Sequence, residues 1–478
     1  MDKYFFSGKE VLVMGLGRFG GGVDVVKFLC SVGASVTVTD SARRDALGES
    51  VSRLDGLDDI EYHLGSHERA DFERADIVIV NPAVRPDSEY LRIAQQGGAL
   101  ITSQIEIFFE LCPAVIIGIT GSNGKSTTAA LTAHLLRAAI SREQTGYRKL
   151  WLSGNIGNEP LLAVIDEIAA DDLVVLELSS FQIEQLSRLR RAPQVALLTN
   201  LTANHLDRYG TFEAYCRSKE SLFQYQKLDE RRPAVSIFNA DDEIGCEWFA
   251  KLNGQPGRVC MKFSAEQLSD GIRNCFALPG AVNLANLAAA VCIARHFGSD
   301  DESIIASLPG FKPLPHRLEP VAEIDGVRWY NDSKATTPVS AIAAIEAFDQ
   351  PVIIIAGGYD KHIPLEPLAE AIAKRAKAAI LMGRTARKIA DAIEKNLATK
   401  VTARPEQSRR ENTERVIKVE LAASLNDAVD SAGEIAVSGD VVLLSPGCAS
   451  YDMFDNFQQR GRRLTELVRA RMKRLSGR

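Results

Sequence analysis

Short, continuous apolar runs punctuate the chain at residues 11–14, 35–39, 77–80, 114–119, 173–176, 195–199, 234–238, 352–356, 379–382 and 441–444, with a briefer one at 329–330. Runs of this length predict strands buried on both faces, as in a parallel sheet. Between them lie longer stretches of helical character, at 22–32, 129–136, 212–226, 283–295, 338–347 and 365–377. The alternation is βαβ, so the chain is expected to be α/β, with open sheets covered by helices. Residues 309–315 are Pro-rich and read as a linker, and the charged stretch 404–415 reads as a solvated loop or helix face.

At 478 residues the chain is too long for one core, and about three domains are expected. The pattern places them at 1–112, 113–315 and 316–478. The net charge is −6 with no long basic block, which argues against a nucleic-acid partner. Eight cysteines are scattered without CxxC spacing. That argues against a zinc site or disulfide framework and for a reducing cytoplasm. No cleavage-like leader is visible, and no apolar run reaches the roughly 18 residues of a membrane span. A cytoplasmic monomer without a membrane partner is expected.

The richest chemistry stands at 113–128, PAVIIGITGSNGKSTT. A strand breaks into a turn of Gly121, Ser122, Asn123 and Gly124, then Lys125, Ser126 and Thr127 open a helix. Backbone N–H groups of such a turn, with the helix N-terminus behind them, grip polyphosphate. Lys125 supplies a cation and the Ser126 hydroxyl a Mg²⁺ ligand. The usual first glycine of this motif is replaced by Ile119, with Gly118 and Gly121 on either side of it. The 173–176 strand ends in Glu177, an acid placed to share that Mg²⁺.

Near the N-terminus a second turn, Gly15-Leu16-Gly17-Arg18-Phe19-Gly20, follows a strand, and Asp40 closes the next strand. Here glycines admit a diphosphate to a helix N-terminus and the acid meets a ribose. NAD, FAD and nucleotide-sugar diphosphates all fit, and so does a tight turn without ligand. The first domain is thus Rossmann-like and the second a P-loop ATPase. His205 follows the 195–199 strand, the end of an open sheet where ligands bind. Lys219, on spacing alone, is a solvated helix lysine. In the third domain, again Rossmann-like, polar turns at 331–336, 357–361 and 445–450 follow three strands and suit an anionic substrate.

Ten motifs stand in order along all three segments: GITGSNGKSTT, SGNIG, ELSSFQ, NHLDRY, YCRSKE, LPGAVNLAN, LPHRLE, NDSKATT, GGYDK and SPGCASYDMF. On these the chain resembles the Mur ligases. NDSKAT, ELSSFQ and SPGCAS favour the member that adds D-glutamate to UDP-N-acetylmuramoyl-L-alanine in peptidoglycan precursor synthesis.

The resemblance implies roles. Gly15, Gly17, Gly20 and Asp40 would face UDP, and Asn155 and His205 would approach the muramoyl-alanine carboxylate and metal. Ser126 and Glu177 would hold one Mg²⁺. Lys219 would be carbamylated and hold a second. Asn286, Arg317, Asp332 and Lys334 match ATP-contacting positions. Thr336, Lys361, Ser450 and Phe457 match a D-glutamate pocket. The reaction implied is ATP-driven amide formation through an acyl phosphate, with Lys125 and Lys334 neutralising phosphoryl charge. Three positions depart from the family pattern: Val282 replaces a His, Asn204 an acid, and Ala42 an Arg that Arg43 is placed to replace. The stretch between NADD and LPGAVN is also short for the family, so a peripheral hairpin is expected to be missing. Rival readings are another Mur-type or folylpolyglutamate-type amide ligase, a nucleotide-binding module without catalysis, and an NAD-dependent dehydrogenase. The N-terminal turn with Asp40 opposes the folylpolyglutamate type, and the phosphate turn is unexplained by the dehydrogenase.

Overall fold

A computed structural model describes residues 2–18, 20–57, 59–154, 156, 160–402 and 417–476. The expectations for Asn155 and for 404–415 lie outside the described residues. The chain divides into two compact units, Met1–Cys275 with Ala285–Phe311, and Phe276–Leu284 with Lys312–Arg478.

The first unit contains two sheets. In the first, β1 (Glu10–Met14), β2 (Ser35–Asp40), β3 (Ile60–Leu64), β4 (Ile77–Val80) and β5 (Leu100–Thr102) pair in the order β3-β2-β1-β4-β5. Every pairing is parallel. The order reverses between β1 and β4, and this switch point opens a crevice beyond the strand ends. The second sheet contains β6 (Val115–Thr120), β7 (Leu150–Gly154), β8 (Leu173–Glu177), β9 (Val195–Leu198), β10 (Ala234–Asn239) and β11 (Arg258–Phe263). Its order is β11-β10-β9-β6-β8-β7, again all parallel. Its switch point lies between β6 and β9. The phosphate turn leaves β6 there.

Continuous apolar runs make these strands because both faces are covered. Ile77–Val80 is buried at every position, as is Leu173–Glu177, its terminal acid included. One hydrophobic core runs through the unit, joining Val11, Phe28 and Phe108 to Trp151, Val174 and Leu198. Each fully buried side chain of this kind contributes about 1.5–3 kcal/mol.

The helix expected at 129–136 is longer, Lys125–Ser141. It starts on Gly124, whose φ of 83° is left-handed, so the motif residues 125–128 form its first turn. Gly121 is more constrained. Its φ is 143°, and a Cβ there would lie 2.0 Å from Thr199 Oγ1 and 3.0 Å from the Asn200 carbonyl.

In the second unit β12 (Glu319–Ile324), β13 (Val327–Asn331), β14 (Val352–Ala356), β15 (Ala376–Met382), β16 (Lys418–Ala422) and β17 (Val441–Leu444) pair as β12-β13-β17-β14-β15-β16. β12 and β13 are antiparallel, joined by Asp325 (φ 51°) and Gly326 (φ 75°). Two left-handed residues give the hairpin turn that matches strand twist. The other pairings are parallel. β13, β17 and β14 are adjacent, so the polar turns that follow them emerge side by side.

Gly121→Ala is expected to cost about 1–3 kcal/mol, because the backbone must leave its left-handed conformation and part from β9. Denaturant unfolding of the variant checks this; wild-type stability would contradict the close approach.

Candidate active site

The phosphate turn is braced from the neighbouring strand end. Asn200, just after β9, bonds Asn123 twice: its Oδ1 accepts from the Asn123 N–H (3.1 Å) and its Nδ2 donates to the Asn123 carbonyl (3.1 Å). Thr199 Oγ1 donates to that same carbonyl at 2.6 Å, and Ser122 Oγ donates to the Thr202 carbonyl at 2.9 Å. The turn is therefore fixed independently of its ligand, and the helix opens on Gly124 without a side-chain cap. Uncapped N–H groups at a helix start attract phosphate. A Cβ at Gly124 would lie 2.2 Å from Asn286 Oδ1, so only glycine lets Asn286 press against the turn.

Three ionisable groups converge here. Lys125 Nζ donates to the carbonyls of Gly121 (3.0 Å) and Ser122 (2.9 Å). Ser126 Oγ donates to Glu177 Oε2 at 2.6 Å, and both side chains are buried. A hydroxyl beside a carboxylate is a hard-oxygen pair that fits Mg²⁺. Lys219 is 1 % exposed and its Nζ donates to Thr120 Oγ1 at 3.0 Å, at the last residue of β6. Burial holds its pKa well below the usual lysine range; the Lys125 charge lowers it further, while Glu177 pulls the other way. The solvated lysine expected from spacing is thus corrected. The helix Phe212–Gln224 turns Lys219 inward together with Tyr215 and Phe223. His205 is exposed and has a φ of 52°. Its ring packs 5.0 Å from Phe181 of the SSFQ motif and 6.3 Å from Tyr215, whose hydroxyl lies 3.2 Å from Ser122 Oγ.

At the first switch point lies a cleft of about 520 Å³ lined by Gly15, Gly17, Asp40, Ser41, His67 and Asn81, among others. Asp40 braces the glycine turn: its Oδ2 accepts from the Gly17 N–H (3.1 Å) and its Oδ1 from the Ala42 N–H (2.8 Å). Gly20 (φ 89°) starts the helix Gly21–Ser31. The guanidinium of Arg53 lies 2.9 Å from where a Gly20 Cβ would stand.

Sequence reasoning missed several of these residues. Asn81 and Asn200 directly follow strands, so their position was a usable signal. Nothing in the local pattern marks Arg53 or His67, whose Nδ1 is 2.8 Å from Thr39 Oγ1.

In the second unit, Asp332 is buried. Its Oδ2 accepts from Ser445 Oγ (2.8 Å) and its Oδ1 from the Leu318 N–H (3.2 Å). Burial pushes its carboxyl up to about 7, against the opposing pull of these bonds and of the Arg317 charge. Lys334 Nζ lies 5.6 Å from the Phe457 ring centre. Thr336 and Lys361 line one small pocket with Tyr359 and Cys448. Ser450 is buried in the turn after β17. A residue that sequence reasoning missed ties two of the three turns together. Arg460, 1 % exposed, donates to Ser333 Oγ (3.0 Å) and to the carbonyls of Ser333 (2.9 Å), Cys448 (3.2 Å) and Ala449 (3.3 Å). The Tyr359 N–H joins the same Ala449 carbonyl at 2.9 Å. Burial lowers its guanidinium to about 10, still cationic near neutrality.

Family models match this layout domain by domain: a MurD-like N-terminal domain of Mur ligases at 9–103, the Mur ligase middle domain at 119–294, and the Mur ligase glutamate ligase domain at 316–448. A UDP-N-acetylmuramoylalanine–D-glutamate ligase of Roseiflexus sp. (strain RS-1) is 39 % identical, covering 97 % of this chain and 98 % of the relative. The chain belongs to the Mur ligase family. A ligase of the same name from Clostridium novyi (strain NT) is 38 % identical over 98 % of both chains. Among solved structures, the UDP-N-acetylmuramate–alanine ligase MurC of Thermotoga maritima superposes with a TM-score of 0.57 at 17 % identity, covering 97 % of this chain and 99 % of that one. The MurF ligase of Thermotoga maritima in complex with ADP gives 0.52 at 16 % identity, covering 99 % and 97 %. These two share the Mur ligase fold. With three α/β sheets and a phosphate turn, this Mur ligase is an ATP-dependent amide-forming enzyme. No helix among the described residues is long and apolar enough to cross a membrane.

The raised Asp332 carboxyl has a pH signature. The folded state binds a proton that the unfolded state releases between about pH 4 and about pH 7, so this group's contribution to stability falls as pH rises through that window. Unfolding midpoints of wild type and Asp332→Asn, compared across that window, are expected to diverge as pH rises, with the variant gaining on the wild type. A constant difference would contradict it.

Proposed function

We propose that this Mur ligase joins D-glutamate to UDP-N-acetylmuramoyl-L-alanine at the expense of ATP, in the cytoplasm, as a step of peptidoglycan precursor synthesis. The observation that carries the reading is the cluster of Lys125, Ser126, Glu177 and buried Lys219 around the phosphate turn, in a chain whose full-length relatives bear the name of that ligase.

A carboxylate is a poor acyl donor because its oxygen leaves badly. In the first step a carboxylate oxygen of the acceptor attacks the γ-phosphorus of ATP. The bond to ADP breaks and an acyl phosphate forms. Residues Gly121 to Thr127 cradle the phosphates through their backbone N–H groups, and Lys125 swings from the turn carbonyls onto the charge that develops on the transferred oxygens. Mg²⁺, held by Ser126 and Glu177, would neutralise phosphate charge. The Lys219 amine, kept neutral, adds to CO₂ and releases a proton, becoming a carbamate whose oxygens would hold a second Mg²⁺. His205 and Asn155 receive the acceptor near its carboxylate.

In the second step the amine of D-glutamate attacks the acyl carbon. The tetrahedral intermediate expels phosphate, and loss of a proton leaves the amide. Thr336, Lys361, Ser450 and Phe457 seat D-glutamate. Asn286, Arg317, Asp332 and Lys334 contact ATP, with Lys334 adding positive charge near the phosphates. Gly15, Gly17, Gly20 and Asp40 hold the uridine diphosphate in the first cleft. His67 and Asn81 line that same cleft.

Phosphate release with UDP-N-acetylmuramoyl-L-alanine tests the reading. Turnover is expected with D-glutamate and not with L-glutamate or D-alanine. Lys125→Ala is expected to lower kcat by about a hundredfold or more while the protein stays folded. Turnover with another amino acid, or near-normal kcat in the variant, would refute the assignment.

A further inference from the structure

Asp24 is a carboxylate whose position the reaction chemistry leaves unexplained. It sits in the first turn of the helix Gly21–Ser31 and is 3 % exposed. An acid there ordinarily serves its own helix end. This one reaches into the second sheet's domain. Its Oδ2 accepts from the Leu162 N–H (2.9 Å) and from Gln104 Nε2 (2.5 Å), and its Oδ1 accepts from the Ala163 N–H (2.9 Å). A buried carboxylate is tolerated only when donors surround it, and two of these donors are backbone groups of another domain.

The segment it holds connects to the reaction centre. Leu161 and Leu162 lie in the same buried core as Trp151 of β7 and Val174 and Leu176 of β8. At the ends of those strands Gly154 pairs with Glu177, so closely that a Gly154 Cβ would stand 2.4 Å from the Glu177 carbonyl. A second tie runs parallel. Buried Glu106, on the helix Gln104–Leu111, accepts from Arg188 Nη2 (2.8 Å) and from Ser103 Oγ (2.6 Å). Arg188 belongs to the helix Ser180–Leu189, which starts three residues after Glu177. Both ties run from helices packed with the first sheet to elements flanking the Glu177 strand.

We infer that Asp24 is a positioning residue: it couples the helix behind the glycine turn to the 161–163 segment and so fixes the spacing between the first cleft and the phosphate turn that the acceptor must span. The inference rests on the uridine reading of the first cleft. An acceptor anchored at one sheet and reacting at another is aligned only if the two sheets keep one spacing, and small misplacements of reacting atoms are costly in rate.

The test uses the full-length enzyme with Asp24→Asn and Asp24→Ala. Affinities for UDP and for ATP, measured by calorimetry, are expected to stay at wild-type values, because each sheet keeps its own site. With UDP-N-acetylmuramoyl-L-alanine, ATP and D-glutamate, kcat is expected to fall by about tenfold to a hundredfold, less for Asn than for Ala. Amide exchange at Leu162 and Ala163 is expected to accelerate. Faster exchange with unchanged kcat would overturn the inference, as would a loss of UDP affinity that accounts for the fall in rate. Should Asp24→Ala fail to fold, Asp24→Asn decides the question alone. Wild-type enzyme that binds no UDP would instead remove the uridine reading itself.

Discussion

One lysine amine, that of Lys219, is buried at the end of β6, beside the phosphate turn. An ammonium group taken from water into the interior loses its hydration, and among the described residues Lys219 recovers one hydrogen bond, to Thr120. A second cation, Lys125, adds repulsion. Both effects favour the neutral amine, which is the nucleophilic form. A lysine in water near neutrality is almost wholly protonated and carries its lone pair on a proton. The fold therefore supplies through burial what a solvated lysine lacks, and it does so at the base of the phosphate turn.

The sheets explain how distant parts of the chain come together in each site. Parallel strands send all their following loops to one edge, and a reversal of strand order parts two neighbouring loops to leave a crevice. In the second sheet the reversal lies between β6 and β9, so the phosphate turn meets Thr199 and Asn200. In the first it lies between β1 and β4, so the glycine turn meets Asn81, whose Nδ2 donates to the Gly15 carbonyl at 3.2 Å. The third sheet brings together three turns through adjacent strands, and Arg460 bonds two of them. In the first two sheets a polar side chain at a strand end, and in the third Arg460 of the helix Phe457–Ser476, rigidifies a backbone loop before any ligand arrives, and such preorganisation spares the reaction that reorganisation.

Much of this was legible in the sequence, for identifiable reasons. Ile77–Val80, Val352–Ala356 and Val441–Leu444 match the expected strands residue for residue, because strands buried on both faces are apolar at every position. Edge strands were missed. β3, β12 and β16 are only half-buried, so their apolar and polar residues mix and give no clear period. The phosphate turn was legible because backbone geometry demands its glycines. Burial of Lys219 was not, since it depends on which face of its helix the second sheet covers, and residues far along the chain decide that. Arg460 and Asp24 were hidden for the same reason: each looks like a solvated helix charge until the loops it holds are in place.

The most direct measurement concerns the Lys219 amine. The purified protein would be equilibrated with ¹³C-labelled CO₂ near neutral pH and observed by ¹³C NMR, beside a Lys219→Arg variant. A carbamate carbonyl resonance present in the wild type and absent from the variant is expected if the interior holds the amine neutral. An identical spectrum from both proteins, with no carbamate signal, would contradict the claim that burial makes this lysine a carbamylated metal ligand.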